Sequence, residues 1–194
     1  NGVDIPYEFP QSSDGVVRMT SVGRLIVRKR FDMAIRAVAQ TGNEIGTELN
    51  ILGNGPELES LQDLTMSLSL ESCIHFRGEV SPVVVKETLQ RSEVFIFPSE
   101  SEGMSNALLE ALAYGNVVLA RDIPANRELI RDKENGLLFE DQEELNQLLK
   151  QVVHEPQLRR DLSLAARTYV NEHHAMASIA KRYHSLYIRA ADEV

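Results

Sequence analysis

The feature that most constrains this chain is a change of period that repeats along it. Short apolar runs stopped by glycine or proline alternate with longer segments whose apolar residues recur at three-and-four spacing. The first kind reads as buried strands and the second as helices packed on one side. Strands are expected over residues 16–23, 48–52, 73–76, 94–97, 117–120 and 136–139. Helices are expected over 31–40, from Pro56 onward with Leu58, Leu61, Leu64 and Leu68 on one face, from Ser81-Pro82, and over 105–114. Val83-Val84-Val85 weighs against the third of these, because β-branched residues lose side-chain freedom in a helix. Three amphipathic segments, 141–153, 156–170 and 176–190, close the chain. Stripes such as Leu145, Leu148, Leu149 and Val152, or Ile179, Ala180, Tyr183, Leu186 and Tyr187, read as core-facing.

Strands alternating with helices of this length imply an α/β fold. The expected architecture is a Rossmann-like parallel sheet with helices on both faces and right-handed crossovers. Such sheets bind ligands beyond the carboxyl ends of their strands. Function is therefore sought in loops 23–30, 53–56, 77–80 and 98–106. The first fifteen residues hold two prolines and two glycines with little periodicity, and read as a linker. The domain proper is expected over 16–194. The chain opens on Asn1 rather than Met, as expected of a processed product or a piece of a longer protein.

At 194 residues, 43% hydrophobic and 25% charged, the chain has the makings of one globular domain. No apolar run reaches the roughly 18–20 residues that span a bilayer. A single cysteine, Cys73, excludes an internal disulfide and suits a reducing, cytoplasmic compartment. Acids outnumber bases 29 to 20, for a formal charge of −9, which argues against a nucleic-acid partner. The bases are nevertheless clustered. Between Arg18 and Arg36 there are six (Arg18, Arg24, Arg28, Lys29, Arg30, Arg36) against one acid, Asp32, a pattern that can attract a small anion locally.

The stretch from Phe97 to Gly115 carries the most chemistry. A strand ends at Pro98, a polar loop follows, and a helix begins near Gly103–Ser105. Backbone N–H groups at a helix start form an anion site, and Gly103 would let a ligand approach closely. Glu102 precedes the helix and Glu110 lies inside it. Two carboxylates flanking such a site suit the hydroxyls of a nucleotide sugar, one taking ribose and the other hexose. The bland alternatives are a loop acid favouring the helix dipole for Glu102 and a solvated helix face for Glu110. The latter is weakened by the apolar neighbours Ala107, Leu108, Leu109, Ala111 and Leu112. Arg24 and Lys29, after the first strand, can reach an anion at the same sheet edge, arginine as a fork and lysine as a point charge. Either is also an ordinary surface charge.

Other patterns lead less far. Gly53-Asn54-Gly55 resembles half a dinucleotide fingerprint, but Leu58 takes the third glycine position; it reads as a tight strand-to-helix turn. Gly103-Met104-Ser105-Asn106-Ala107 mimics a hydrolase elbow, yet Gly103 lies five positions beyond Pro98, too far from the strand. None of His75, His154, His173, His174 and His184 is spaced for a metal, so no metal is expected. The pair His173-His174 is expected to cap or precede the last helix.

With these residues in view, the chain resembles the retaining glycosyltransferases of GT-B architecture, most closely their large family 4, of the group 1 type. Glu102 and Glu110 have that family's E-x7-E spacing. Pro98-Ser99 before and Glu110-Ala-Leu-Ala-Tyr-Gly115 after resemble its signature. Gly23-Arg24-Leu25 with Lys29 resembles its phosphate-binding motif, and Asn1-Gly2-Val3-Asp4 is similar to its interdomain linker. The resemblance implies a C-terminal donor-binding domain whose substrate is a nucleotide diphosphate sugar such as a UDP- or GDP-sugar, with no separate cofactor and no metal. It implies Arg24 and Lys29 on the diphosphate, with Gly23 beside them, and Glu102 on the transferred sugar. Glu102, Arg24 and Lys29 would then be the catalytic residues. It also implies backbone N–H groups of Gly103, Met104 and Ser105 on phosphate and sugar, and Glu110 on the ribose. Arg77 and Gly78 fall where the family's backbone meets the nucleobase.

The same resemblance implies an N-terminal acceptor domain of the same protein as partner. It further implies a role in polysaccharide or glycolipid synthesis, with peripheral association of the full-length enzyme at the inner face of a membrane. Isolated, this chain is expected to bind donor without transferring sugar. Two departures stand out. The usual Pro-Glu before the lysine is Val27-Arg28, and the usual glycine after it is Arg30; the usual aromatic-glycine pair after Gly103 is Met104-Ser105. A GT-B-like sugar-nucleotide epimerase and a non-catalytic nucleotide-binding scaffold remain as alternatives. A nicotinamide-dependent dehydrogenase lacks its third glycine and ribose-binding acid.

Overall fold

The computed structural model describes residues 2–3, 14–41, 46–103 and 105–175. The expected helix over 176–190, most of the linker, and Met104 lie outside the described residues. Six strands form one sheet: β1 (Val17–Val22), β2 (Thr47–Leu52), β3 (Ile74–Gly78), β4 (Val94–Phe97), β5 (Val117–Arg121) and β6 (Leu137–Phe139). They run in the order β3-β2-β1-β4-β5-β6, and every neighbouring pair is parallel. The helices are α1 (Phe31–Ala39), α2 (Leu58–Ser67), α3 (Pro82–Gln90), α4 (Asn106–Tyr114), α5 (Pro124–Arg127), α6 (Gln142–His154) and α7 (Pro156–His173). The Rossmann-like α/β expectation is thus met. Two short elements were not anticipated: α5 and a 3-10 turn over Val27–Lys29.

The central strands are buried on both faces, which is why they read as continuous apolar runs rather than alternating ones. Along β4 the residues still alternate between two cores. Val94 and Ile96 join Met19, Ile51 and Leu119 under α1, α2 and α6. Phe95 and Phe97 join Leu108, Leu112, Ala166 and Val170 under α4 and α7.

Local chemistry fixes the helix ends. Ser81 accepts a hydrogen bond from the Val84 N–H and Pro82 takes the first helical position, so α3 forms despite its valines. Val83 and Val84 are exposed and take little part in packing. Ser105 caps α4 by accepting from the Leu108 N–H, and Gly115 ends that helix in the left-handed conformation at φ +77°. Asp141 caps α6 at the Glu144 N–H. Helix α7 runs on to His173, and His174 is its C-terminal cap.

One feature of the strand order positions everything that follows. From β1 the chain moves outward to β2 and β3, then returns to lay β4 on the other side of β1. Loops leaving β1 and β4 therefore diverge to opposite faces, and a crevice opens beyond their carboxyl ends.

Candidate functional site

One wall of the crevice is built from backbone. Beyond β1, β2 and β3 the connecting loops are laced together: Gly23 N–H donates to Leu52 O (2.9 Å), Leu25 N–H to Asn54 O (3.0 Å), and Gly53 N–H to Gly78 O (2.7 Å). Glu57 N–H returns a bond to Leu25 O at 3.0 Å, and the Leu25 side chain is fully buried beneath. This lacing accounts for Gly53-Asn54-Gly55. Gly53 sits at φ +138°, and a Cβ on it would lie 1.9 Å from Gly23 O; on Gly55 it would lie 2.2 Å from Leu25 O. The two glycines are needed because a neighbouring loop passes against them, beyond the tight turn that the sequence implied.

The laced loops enclose a cleft of about 390 Å3. Gly23-Arg24, Gly53-Asn54 and Glu79-Val80 form its rim, and Val22, Leu52 and Val85 supply apolar walls. Arg24 is exposed there and, among the described residues, makes no side-chain hydrogen bond or ion pair. The Arg77 side chain lies outside this cleft. Its Nε donates to Asn50 Oδ1 at 2.7 Å and Nη2 lies 3.9 Å from Glu48.

The facing wall is built from charge. Lys29 closes the 3-10 turn after β1, and its ammonium is ion-paired with Glu102 in the loop after β4. The two side chains are only 15% and 13% exposed. The ammonium also lies 5.4 Å from the centre of the Phe97 ring. One residue on, Arg30 adopts φ +51°, ψ +41° while serving both as the end of the turn and as the start of α1. That left-handed backbone is one that glycine adopts without strain and other residues rarely do. Arg30 donates to both carboxylate oxygens of Asp32, at 3.0 and 3.1 Å, and to Glu100 at 2.7 Å. These bonds, Asp32 first and Glu100 second, raise the guanidinium pKa above its ordinary value. Arg121 at the end of β5 stands 3.7 Å from the same Glu100, and Glu100 N–H donates to Arg28 O at 2.9 Å.

Other expected site residues are placed as follows. Gly103 is exposed, and a Cβ there would meet only open space. Ser105 gives its hydroxyl to capping α4. Glu110 is half-buried in a separate recess of about 290 Å3, beside Asn106, Leu109 and the Gly2-Val3 segment. Val3 N–H bonds to His174 O at 3.0 Å, tying that segment to the end of α7. The structure therefore brings Lys29 and Glu102 into contact and sets Gly23 and Arg24 against the β2 and β3 loops. It leaves Glu110 in its own recess. Glu79, Asn54 and Glu100 were not singled out from sequence. Only their membership of the carboxyl-end loops pointed to them.

Among the described residues, no group of three or more His, Cys, Asp or Glu side chains is arranged to hold a metal ion. None of the described helices is long and apolar enough to cross a membrane. Burial pushes the Cys73 thiol pKa upward, which disfavours the reactive thiolate.

A family model described as glycosyl transferases, group 1, matches residues 9–169. The chain belongs to this family. Among curated relatives, the glycosyltransferase 1 domain-containing protein 1 of Xenopus tropicalis is 37% identical over 115 residues, covering 59% of this chain and 33% of that protein. The lipopolysaccharide core biosynthesis glycosyltransferase LpsE of Rhizobium meliloti is 31% identical over 145 residues, 74% of this chain and 41% of that protein. Among solved structures, a TarM variant of S. aureus in complex with fondaparinux, alpha-GlcNAc-glycerol and UDP superimposes with a TM-score of 0.81 at 20% identity. That match covers 96% of this group 1 chain and 38% of TarM. The fold is the Rossmann-like fold of GT-B glycosyltransferases, and the chain spans well under half the length of each of these proteins.

Proposed function

We propose that this chain binds the nucleotide-sugar donor of a retaining, family 4 hexosyltransferase, with an N-terminal domain of the same protein receiving the acceptor. The observation that carries this reading is the pairing of Lys29 with Glu102 across the crevice between β1 and β4. It sets a cation and a carboxylate within reach of one small ligand, on the same β1 loop that carries the exposed Arg24. The TarM structure contains UDP, which supports a nucleoside diphosphate as the ligand class.

In this reading Arg24 and Lys29 hold the diphosphate and Glu102 holds hydroxyls of the sugar. Backbone N–H groups over residues 103–105 approach phosphate and sugar, and the open space at Gly103 leaves room for them. Glu110 takes the ribose, and the 78–80 loop borders the base. Donor binding exchanges the Lys29–Glu102 contact for two ligand contacts, so neither charge is left unpaired in a partly dry site. When the glycosidic bond breaks, negative charge grows on the leaving diphosphate, and the cations that already face it lower the barrier. No residue in this scheme needs a metal. The acceptor's share of the site lies outside the chain, so the chain alone binds donor and transfers nothing.

The two carboxylates separate in a binding experiment. Glu102→Ala should weaken a whole nucleotide sugar more than the bare nucleoside diphosphate. Glu110→Ala should weaken both alike. Each loss should be about 1.5–3 kcal/mol, the worth of hydrogen bonds to a charged group. Equal effects of both changes on both ligands would overturn the assignment, and sugar transfer by this chain alone would overturn the division of labour.

A further inference from the structure

We propose that Arg30 and Glu100 form a clamp that positions Lys29 and Glu102 for the donor's diphosphate, so that Arg30 acts as a positioning residue; this rests on the donor-binding reading above. The loops after β1 and β4 meet beside the crevice. Three contacts join them: Arg28 O with Glu100 N–H, Lys29 with Glu102, and Arg30 with Glu100. The middle contact is the one a ligand must take apart. When Lys29 and Glu102 let go of each other, the outer two still hold the loops at the same separation.

The guanidinium suits that task. Its Nε and Nη2 are held by Asp32 in the first turn of α1, and Nη1 reaches Glu100. Arg30 is therefore anchored on its own helix start before it grips the neighbouring loop. Arg121 extends the grip on Glu100 to the end of β5. A glycine would adopt the left-handed backbone at residue 30 without strain. Arginine accepts that strain and gains the fork. The pairs are 32–42% exposed, where ion pairs add little to folding stability. Their consequence lies in where the β4–α4 loop sits.

Titrate UDP, GDP and ADP into the unmodified chain, Arg30→Gly, Glu100→Gln, Lys29→Ala and the Arg30→Gly/Lys29→Ala double variant, with thermal midpoints measured alongside. Arg30→Gly and Glu100→Gln should each weaken the bound diphosphate about fivefold, a typical coupling for residues in one network, with midpoints nearly unchanged. Arg30→Lys, which keeps the charge and loses the fork, should fall between. In the Lys29→Ala background, Arg30→Gly should have little further effect, because its influence passes through Lys29. The near-isosteric Glu100→Gln keeps the test open if glycine at 30 disturbs folding. Undiminished binding by Arg30→Gly and Glu100→Gln overturns the clamp, as does an undiminished Arg30→Gly loss when Lys29 is already gone. If the unmodified chain binds none of the three diphosphates, the donor reading falls and the clamp with it.

Discussion

The two walls of the crevice are made of different material. On the β1–β2–β3 side, loops are joined backbone to backbone and glycines allow them to touch. On the β1–β4 side, loops 70 or more residues apart in sequence are joined by Lys29–Glu102 and Arg30–Glu100. Backbone lacing cannot rearrange without breaking the sheet's own extension. Ion pairs can exchange partners at little net change in free energy when an anion arrives. A fixed wall suits recognition of a base, and an exchangeable wall suits a diphosphate that must be both held and released.

The sharpest break in this contrast is Gly53→Ala. A Cβ would collide with the Gly23 carbonyl in a backbone conformation that alanine rarely adopts. Stability should fall by about 2–4 kcal/mol, read from a urea melt. An unchanged midpoint would mean that the lacing is loose. Lys29→Ala should act mainly on the ligand: it should cost diphosphate affinity about tenfold, in the range of a lost charged hydrogen bond, while the Glu102 left without its cation lowers the melt by less than Gly53→Ala does. A large loss of stability instead would make the Lys29 contact structural.

Salt separates the walls without mutation. Raising ionic strength from about 0.05 to 0.5 M shortens the screening length several-fold. Nucleotide affinity should drop while folding stability changes little; salt-independent binding would count against a charge-built wall. The smallest effect lies outside the crevice. Hydrogen bonding to Arg127 lowers the Asp122 pKa below its ordinary value. A depressed carboxylate contributes stability that is present above its unfolded pKa, about 3.9, and is lost as pH falls through the lower folded value. Arg127→Ala should raise the Asp122 pKa in a carbon-13 carboxyl titration and leave donor binding alone.

Much of the scaffold was written locally. Each strand was a short apolar run, the first four stopped by Gly23, Gly53, Gly78 and Pro98, and Ser81, Ser105 and Asp141 announced helix starts that the structure confirms. The Val83–Val85 run argues against a helix on propensity alone, and the Ser81 cap with Pro82 at the first turn outweighs it. A four-residue helix and a three-residue turn carry too few periods to register. The site was legible as residue types and as loops. The contact of Lys29 with Glu102, however, depends on strand order, which no local spacing encodes. The reason for Gly53 and Gly55 is a neighbouring loop, and Arg30 holds a left-handed backbone angle that no local spacing announces. Arg30 itself was visible only as a departure; its grip on Glu100 needed coordinates.

The central claim is that this crevice receives a nucleoside diphosphate. The direct measurement is a titration of the unmodified chain with UDP, GDP, ADP and CMP by calorimetry, with amide shifts followed at each step. The account predicts that one diphosphate binds above the rest, with shifts at Arg24, Lys29 and residues 102–110. Binding by none of them, or shifts confined to residues away from the β1 and β4 loops, would contradict it.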